Sequence, residues 1–211
     1  MLKPTGPVVL LRATPEMAPV AARLLYLTLG PLADYWMGVD DERRARAILL
    51  RMFGTDKNLF SYQYATFAEV DGETAGLELS YPARTMKALE VRTLLRFLVT
   101  AGPTTALRMI WRSYPLQSIT EAAPDEYFLA HLGVLPQFEG LGLGRQLLQW
   151  AEDRGRAAGL GKITLTVDAD NVRAIRLYER AGFSISGTVT LKALTRRFGY
   201  HGYHHMSKDL R

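Results

Sequence analysis

Residues 133–155 read GVLPQFEGLGLGRQLLQWAEDRG, placing Gly140, Gly142 and Gly144 at alternate positions between an apolar run and an amphipathic one. The order is strand, turn, helix. The first N–H groups of a helix have no intrahelical partner and carry partial positive charge, so an anion is stabilised there. Glycines let the backbone approach such an anion closely and line a concave nest of N–H groups. Leu143, Leu147, Leu148 and Ala151 recur on one face of the following segment, which holds the helix against a sheet and the nest in place. A pyrophosphate is the natural guest of such a turn; a plain tight turn with glycines chosen for packing is the alternative.

Working outward, 211 residues with 48% hydrophobic and 22% charged content form a core for one globular domain, 1–211. A charged residue interrupts every apolar run before the roughly 20 residues that a membrane span requires. No membrane is expected as partner, and the N-terminus reads as a first strand and not as a leader, which points to the cytoplasm. Cysteine is absent, which excludes disulfides, zinc–thiolate sites and thiol nucleophiles. The net charge of +5 favours anionic ligands without choosing among them. Residues 8–14 read as a strand, 15–30 and 40–54 as helices, and 61–70 and 73–81 as strands joined at Asp71-Gly72. Residues 84–124 change character, giving two Arg-bearing amphipathic helices split at Gly102-Pro103. After them come a strand, the glycine turn and its helix, a strand at 162–168, a helix from 172, and two closing strands.

Two familiar nucleotide turns fail on spacing. A phosphate-binding P-loop needs Lys and Ser or Thr after its last glycine, and here Arg145 and Gln146 follow Gly144. A dinucleotide turn needs a third glycine where Arg145 stands, and too little chain remains after Asp168 for the rest of a doubly wound sheet. The segment after Asp168 is more specific: Asn171 opens a helix with Ala174, Leu177, Tyr178 and Ala181 on one face, closing on Gly182-Phe183. The paired segments VLPQFEGLGLGRQLL and N171..A174..L177-Y178-E179..G182-F183 resemble the GNAT superfamily of acyl-CoA N-acyltransferases, most closely over residues 127–186. The resemblance implies an α/β fold with a mixed, mostly antiparallel sheet, splayed central parallel strands at 127–134 and 162–168, flanking helices, and the stretch at 84–124 as a helical insertion.

It also implies an N-acetyltransferase that uses acetyl-CoA as cosubstrate, without metal, in a direct ternary complex with a small-molecule or protein amine. Cofactor contacts then fall on Leu132, Val134, Glu139, Gly140, Leu141, Gly142, Leu143, Gly144, Arg145, Asn171, Ala174 and Tyr178. Glu139 departs from the family, whose Gln or Arg stands at that position; the register Gln137-x-x-Gly140-x-Gly142 restores Gln but displaces the helix start. An acid beside bound phosphates costs affinity unless it points away, so Glu139 is expected to face solvent. By resemblance Tyr178 is the general acid that protonates the departing thiolate, a core tyrosine being the alternative; Asn171 also suits a helix N-cap.

A primary amine, with a pKa of about 10.4 on the lysine model, must lose a proton before it attacks a thioester. Glu126 is the favoured candidate base; His131 could also reach the amine, but a satisfied core histidine is the preferred alternative for it, and strict alternation puts Glu126, Phe128 and Ala130 on one strand face with His131 on the other. The closing run with Tyr200, His201, Tyr203, His204 and His205 suits a pocket rim better than a metal, since adjacent strand residues face opposite ways. The insertion, with Arg92, Arg96, Arg108, Arg112, Trp111 and Tyr114, is expected to pack its apolar side on the domain, show arginine to water, and help define the acceptor pocket; nucleic acid is not expected. A non-catalytic acyl-CoA sensor and an enzyme using a nucleotide or S-adenosylmethionine are the rival functions, and a homodimer is left open.

Overall fold

The computed structural model describes residues 6–38, 41–113, 122–190, 195 and 201–211. Tyr114, Tyr200 and residues 115–121 of the helical stretch lie outside the described residues. The backbone of the described chain is a seven-stranded sheet in the order β1-β2-β3-β4-β5-β7-β6. Its strands are β1 (Val8–Arg12), β2 (Ala65–Val70), β3 (Glu73–Pro82), β4 (Tyr127–Val134), β5 (Lys162–Asp168), β6 (Ser184–Val189) and β7 (Tyr203–Asp209). Every neighbouring pair is antiparallel except β4 with β5. The helices are α1 (Ala18–Leu29), a short α2 (Pro31–Ala33), α3 (Glu42–Phe53), α4 (Met86–Ala101), α5 (Pro103–Ser113), α6 (Leu143–Ala157) and α7 (Val172–Arg180). None of the described helices is long and apolar enough to cross a membrane. This is the mixed, mostly antiparallel architecture with flanking helices that the motifs imply.

Local chemistry explains most element ends. Asp71 (φ 53°) and Gly72 (φ 78°) both take positive φ, the two-residue turn that matches strand twist and joins β2 to β3. Asp41 caps α3 by accepting from the N–H groups of Arg43 and Arg44. The strand expected from residue 61 begins only at Ala65, because Ser61 accepts from Gln63 N–H and starts a 3-10 turn at Tyr62–Tyr64.

The helix pair packs an apolar face on the domain as expected, with Arg92 and Arg108 exposed, but it also carries a second apolar face. Met86, Leu89, Thr93 and Phe97 of α4 are buried, but Val91, Leu95 and Val99 form a second apolar stripe facing out, joined by Leu107 and Trp111 of α5. Arg112 is not turned to water: its guanidinium donates to the Tyr35 carbonyl at 2.6 Å and lies over the Tyr35 ring, tying α5 to the Asp34–Gly38 turn.

One buried polar network fixes α6, and with it the glycine turn, onto the sheet. Glu78 of β3 is fully buried, and burial pushes its carboxyl pKa up while Arg154 of α6, 2.8 Å away, pulls it down. Ser80 Oγ donates to Glu78 at 2.6 Å and shares a hydrogen bond with the Tyr127 phenol, while Trp150 of α6 donates to Thr66 of β2. Removing one partner from a buried pair leaves an uncompensated charge. Arg154→Met is therefore expected to cost about 3–5 kcal/mol in urea denaturation, and adding Glu78→Leu to recover a large part of it.

Candidate functional site

The parallel pair sets the site. β4 and β5 are in register only from Tyr127 with Ile163 to Leu129 with Leu165, after which the two strands run on to Val134 and Asp168 without pairing each other. A cavity of about 1200 Å³ occupies the gap and continues under α1, α4 and α5. The glycine turn stands at one side of it. Gly140 (φ 84°) and Gly142 (φ 77°) take the left-handed backbone that other residues resist, while a Cβ on Gly144 would come within 3.2 Å of Leu177 on α7. The N–H groups of Leu141, Gly142, Leu143 and Gly144 find no backbone acceptor among the described residues, whereas those of Arg145 and Gln146 bond to Gly142 O. Successive unpaired N–H groups at the start of a 15-residue helix form an anion nest.

The structure places most of the sequence-derived contacts together. Leu132, Val134, Glu139, Gly140, Gly142, Leu143, Gly144, Arg145, Asn171, Ala174 and Tyr178 all line this cavity. Leu141 does not; its side chain packs against the core. Asn171 caps α7 by accepting from Ala174 N–H at 3.0 Å. Glu139 is half-exposed and, instead of simply facing water, forms an ion pair with Arg173, a residue the motifs did not single out. The tyrosine is buried against Phe183, and burial pushes its phenol pKa far above the ordinary value; its hydroxyl has no hydrogen bond among the described residues. A phenol held protonated beside a cavity has a proton available to donate.

Glu126 is placed elsewhere. It lies just before β4 in a smaller cavity, about 430 Å³, ion-paired with Lys162 at 2.9 Å and accepting from Ala123 N–H. His131 lines the main cavity, and alternation misplaces it. The register of β3 with β4 skips Ala130: Leu79 pairs with His131 but Ser80 pairs with Leu129. This bulge flips the phase of the strand, so His131 shares a face with Phe128 and not with the opposite set.

The tautomer of His131 is set by its neighbours. β4 approaches α1 so closely that a Cβ on Gly133 would meet Thr28 Cγ2 at 2.8 Å, and Thr28 Oγ1 lies 3.0 Å from His131 Nδ1. Thr28 Oγ1 donates its own proton to Leu25 O, so it accepts from Nδ1–H. Nε2 then holds the lone pair, and it is neither bonded nor enclosed by the described residues at the cavity wall. Phe60 stacks on the ring with 5.6 Å between centroids. Of the closing histidines, His205 faces Thr166 and His204 faces Thr188, on opposite sides of β7.

Comparison with known proteins agrees with this geometry. Residues 103–183 match the model of the acetyltransferase (GNAT) family. A mycothiol acetyltransferase of Beutenbergia cavernae is 36% identical over 110 residues, which cover 48% of this chain and 35% of that protein. A ribosomal protein bS18-alanine N-acetyltransferase of Salmonella typhimurium is 40% identical over 67 residues, 32% of this chain and 45% of that one. The chain thus spans less than half the length of these curated relatives. A solved acetyltransferase structure superposes with a TM-score of 0.72 at 25% identity, over 96% of this chain and all of that one. An N-acetyltransferase from Staphylococcus aureus Mu50 shares the fold, with a TM-score of 0.70 at 21% identity over 95% of this chain and 100% of its own.

The state of His131 is measurable without any ligand. Burial lowers its pKa to about 4 from an ordinary 6.5. Between those values the unfolded chain binds a proton that the folded chain refuses, so stability is present at neutral pH and is lost as pH falls from about 6.5 towards 4, by up to about 3 kcal/mol. Urea denaturation at pH 7 and pH 4.5 is expected to show this loss in the wild type beyond that of His131→Gln, which has no imidazole to charge.

Proposed function

We propose, from the match of residues 103–183 to the GNAT acetyltransferase family and the shared acetyltransferase fold, that the protein transfers an acetyl group from acetyl-CoA to a primary amine by direct attack in a ternary complex. The observation that carries this reading is the nest of unpaired N–H groups at Gly142–Gly144 opening onto the gap between β4 and β5, with Tyr178 in the same cavity. When bound, acetyl-CoA supplies the acetyl thioester. Gly142, Leu143 and Gly144 hold its pyrophosphate through their N–H groups, with Arg145 and Arg173 adding positive charge at the rim. Glu139, neutralised by Arg173, no longer opposes the phosphates. Backbone groups of Leu132 and Val134, left without a β5 partner, hold the extended arm of the cosubstrate.

His131 takes the role of base, since Glu126 belongs to the smaller cavity. A weakly basic imidazole cannot strip an ammonium, but the cavity's apolar walls disfavour the ammonium form and admit the free amine. As the new N–C bond forms the nitrogen becomes strongly acidic, and Nε2 accepts its proton. As the C–S bond breaks, the Tyr178 hydroxyl protonates the leaving sulfur. Proton count balances: one leaves the amine, and one reaches the thiol.

Thermal unfolding with acetyl-CoA, NAD and S-adenosylmethionine tests the cosubstrate. Saturation at a hundred times the dissociation constant is expected to add about 2.7 kcal/mol, a rise of roughly 5–10 °C, with acetyl-CoA alone. A rise with either of the other two instead overturns the reading; binding of acetyl-CoA with no thiol released on any amine makes the protein a sensor. Tyr178→Phe is expected to lower kcat about 10²-fold with little change in KM for acetyl-CoA, read by thiol release. Arg173→Ala, which unpairs Glu139, is expected to weaken acetyl-CoA binding about threefold to tenfold, and Glu139→Gln in that background to restore part of it, read by calorimetry.

A further inference from the structure

The two ends of the main cavity differ in chemistry. Around the glycine turn the lining is charged, with Arg145, Arg173, Arg180 and Asp168; under α1, α4 and α5 it is apolar. At that second end four rings form an unbroken series. Phe97 meets Trp36 edge-on at 5.6 Å, Trp36 lies 6.1 Å from Phe60, and Phe60 stacks on His131 at 5.6 Å. The series leads from α4 to the imidazole, and Met109 of α5 and Leu94 of α4 complete the walls.

Polar groups at this end are mostly engaged within the protein. Thr93 Oγ1 donates to Leu89 O and accepts from Leu59 N–H, Ser113 Oγ donates to Ile110 O, and Thr28 is held between Leu25 O and His131. Glu90 is the only carboxylate among the described residues lining this end, and it lies at the exposed rim of α4. The Tyr81 phenol, whose pKa is raised by burial first and then by the charge of Glu90, and the Trp36 indole N–H are further polar groups there among the described residues. A sugar or a polycation buried in this space would leave its hydroxyls or charges unpaired, whereas a flat ring finds faces and edges to pack against.

We infer that the acceptor is a primary amine carried on an aromatic body, with the ring seated among Trp36, Phe97 and Met109 and the amine directed to His131. This deepens the acetyl-transfer reading and rests on it for the reaction, although the ring-binding site stands on the cavity alone. The helix pair α4–α5 is then the specificity wall of the enzyme. A long acyl chain on the thioester is the other apolar group that would fill the same space.

The probe is phenethylamine, titrated by calorimetry against the full chain with and without CoA, and compared in thiol release with spermidine, glucosamine and an alanine-terminated peptide. With acetyl-CoA, phenethylamine is expected to have a kcat/KM at least about tenfold above the others. Leu94→Arg alters an exposed side chain at the cavity wall and leaves the core intact, so it is the variant least able to unfold the protein. It is expected to weaken phenethylamine binding and kcat/KM about tenfold with no change in KM for acetyl-CoA, and Trp36→Ala to do the same. Turnover of spermidine, glucosamine or the peptide without binding of phenethylamine overturns the inference. So does tighter binding of octanoyl-CoA than acetyl-CoA that Leu94→Arg abolishes, which gives the space to the acyl chain. If phenethylamine binds in a Leu94-dependent manner and no amine releases thiol, the acetyl-transfer reading falls and the ring site stands.

Discussion

Everything that makes this molecule a site and not only a sheet depends on β4 and β5 ceasing to pair after Leu129 and Leu165. A buried strand edge without hydrogen bonds is costly, so two neighbouring strands that separate in the middle of a sheet need a cause and a use. The cause is visible on both sides. The bulge at Ala130 re-aims β4, and Gly133 lets the strand run against α1, which draws it away from β5. Beyond the gap, β5 is held by β7 along its whole length, from Lys162 with Asp209 to Asp168 with Tyr203. The core is divided accordingly, one cluster built on β1–β3 and Phe128 of β4 with α1, α3, α4 and α5, the other on β5, β7 and Tyr127 and Leu129 of β4 with α6 and α7. α6 bridges them, giving Leu143 and Leu147 to the first and Leu148 and Ala151 to the second. Its first turn is therefore suspended over the gap, where its unpaired N–H groups and those of the parted strands share one cavity.

Charge is sorted along that cavity in a way that composition conceals. A net charge of +5 states only that cations exceed acids. In the structure, arginines gather at the glycine turn, and Glu139, the acid within the turn itself, is answered by Arg173 of α7. The second acid read as functional, Glu126, is answered by Lys162 and contributes to the seam where β4 begins. Arg154 answers Glu78 beneath α6. Each of these three acids has its own cation, which leaves the helix dipole and the surplus arginines to act on an incoming anion.

Legibility in the sequence tracked the range of interaction. Asp71-Gly72 and the alternating glycines were readable because the backbone conformations they permit are local. The helix faces of α6 and α7 were readable because burial repeats at helical spacing, as with Leu143, Leu147 and Ala151. The bulge was not, since nothing in YFLAHLGV marks Ala130 as the residue that β3 skips, and one skipped residue moved His131 to the other face. The pairing of Glu139 with Arg173 crosses from turn to helix across 34 residues, and the Thr28 contact that fixes the imidazole spans 103. Gly133 was the one signal that could have found the latter, because a glycine inside a strand marks a close backbone approach. The second apolar stripe on α4 was present in the spacing of Val91, Leu95 and Val99, but a stripe in sequence does not say which face meets the core.

The aromatic end of the cavity gives these separate facts a common physical basis. Burial in low dielectric disfavours the charged form of any group, and His131 and Tyr178 both obey it: the imidazole is held neutral with its pKa near 4, and the phenol is held protonated. The two shifts run in opposite directions on the pH scale and have one cause. An amine entering the same walls would be subject to the same pressure, which favours the uncharged nucleophile that the proposed acetyl transfer requires. A neutral acceptor of protons, a neutral donor and a neutral amine are then three consequences of one apolar lining, while fixed charge stays at the glycine turn, where phosphate would lie. In the proposed reaction, this separation would let a single cavity bind a highly charged cosubstrate at one end and conduct proton transfers at the other without either field disturbing the other's task.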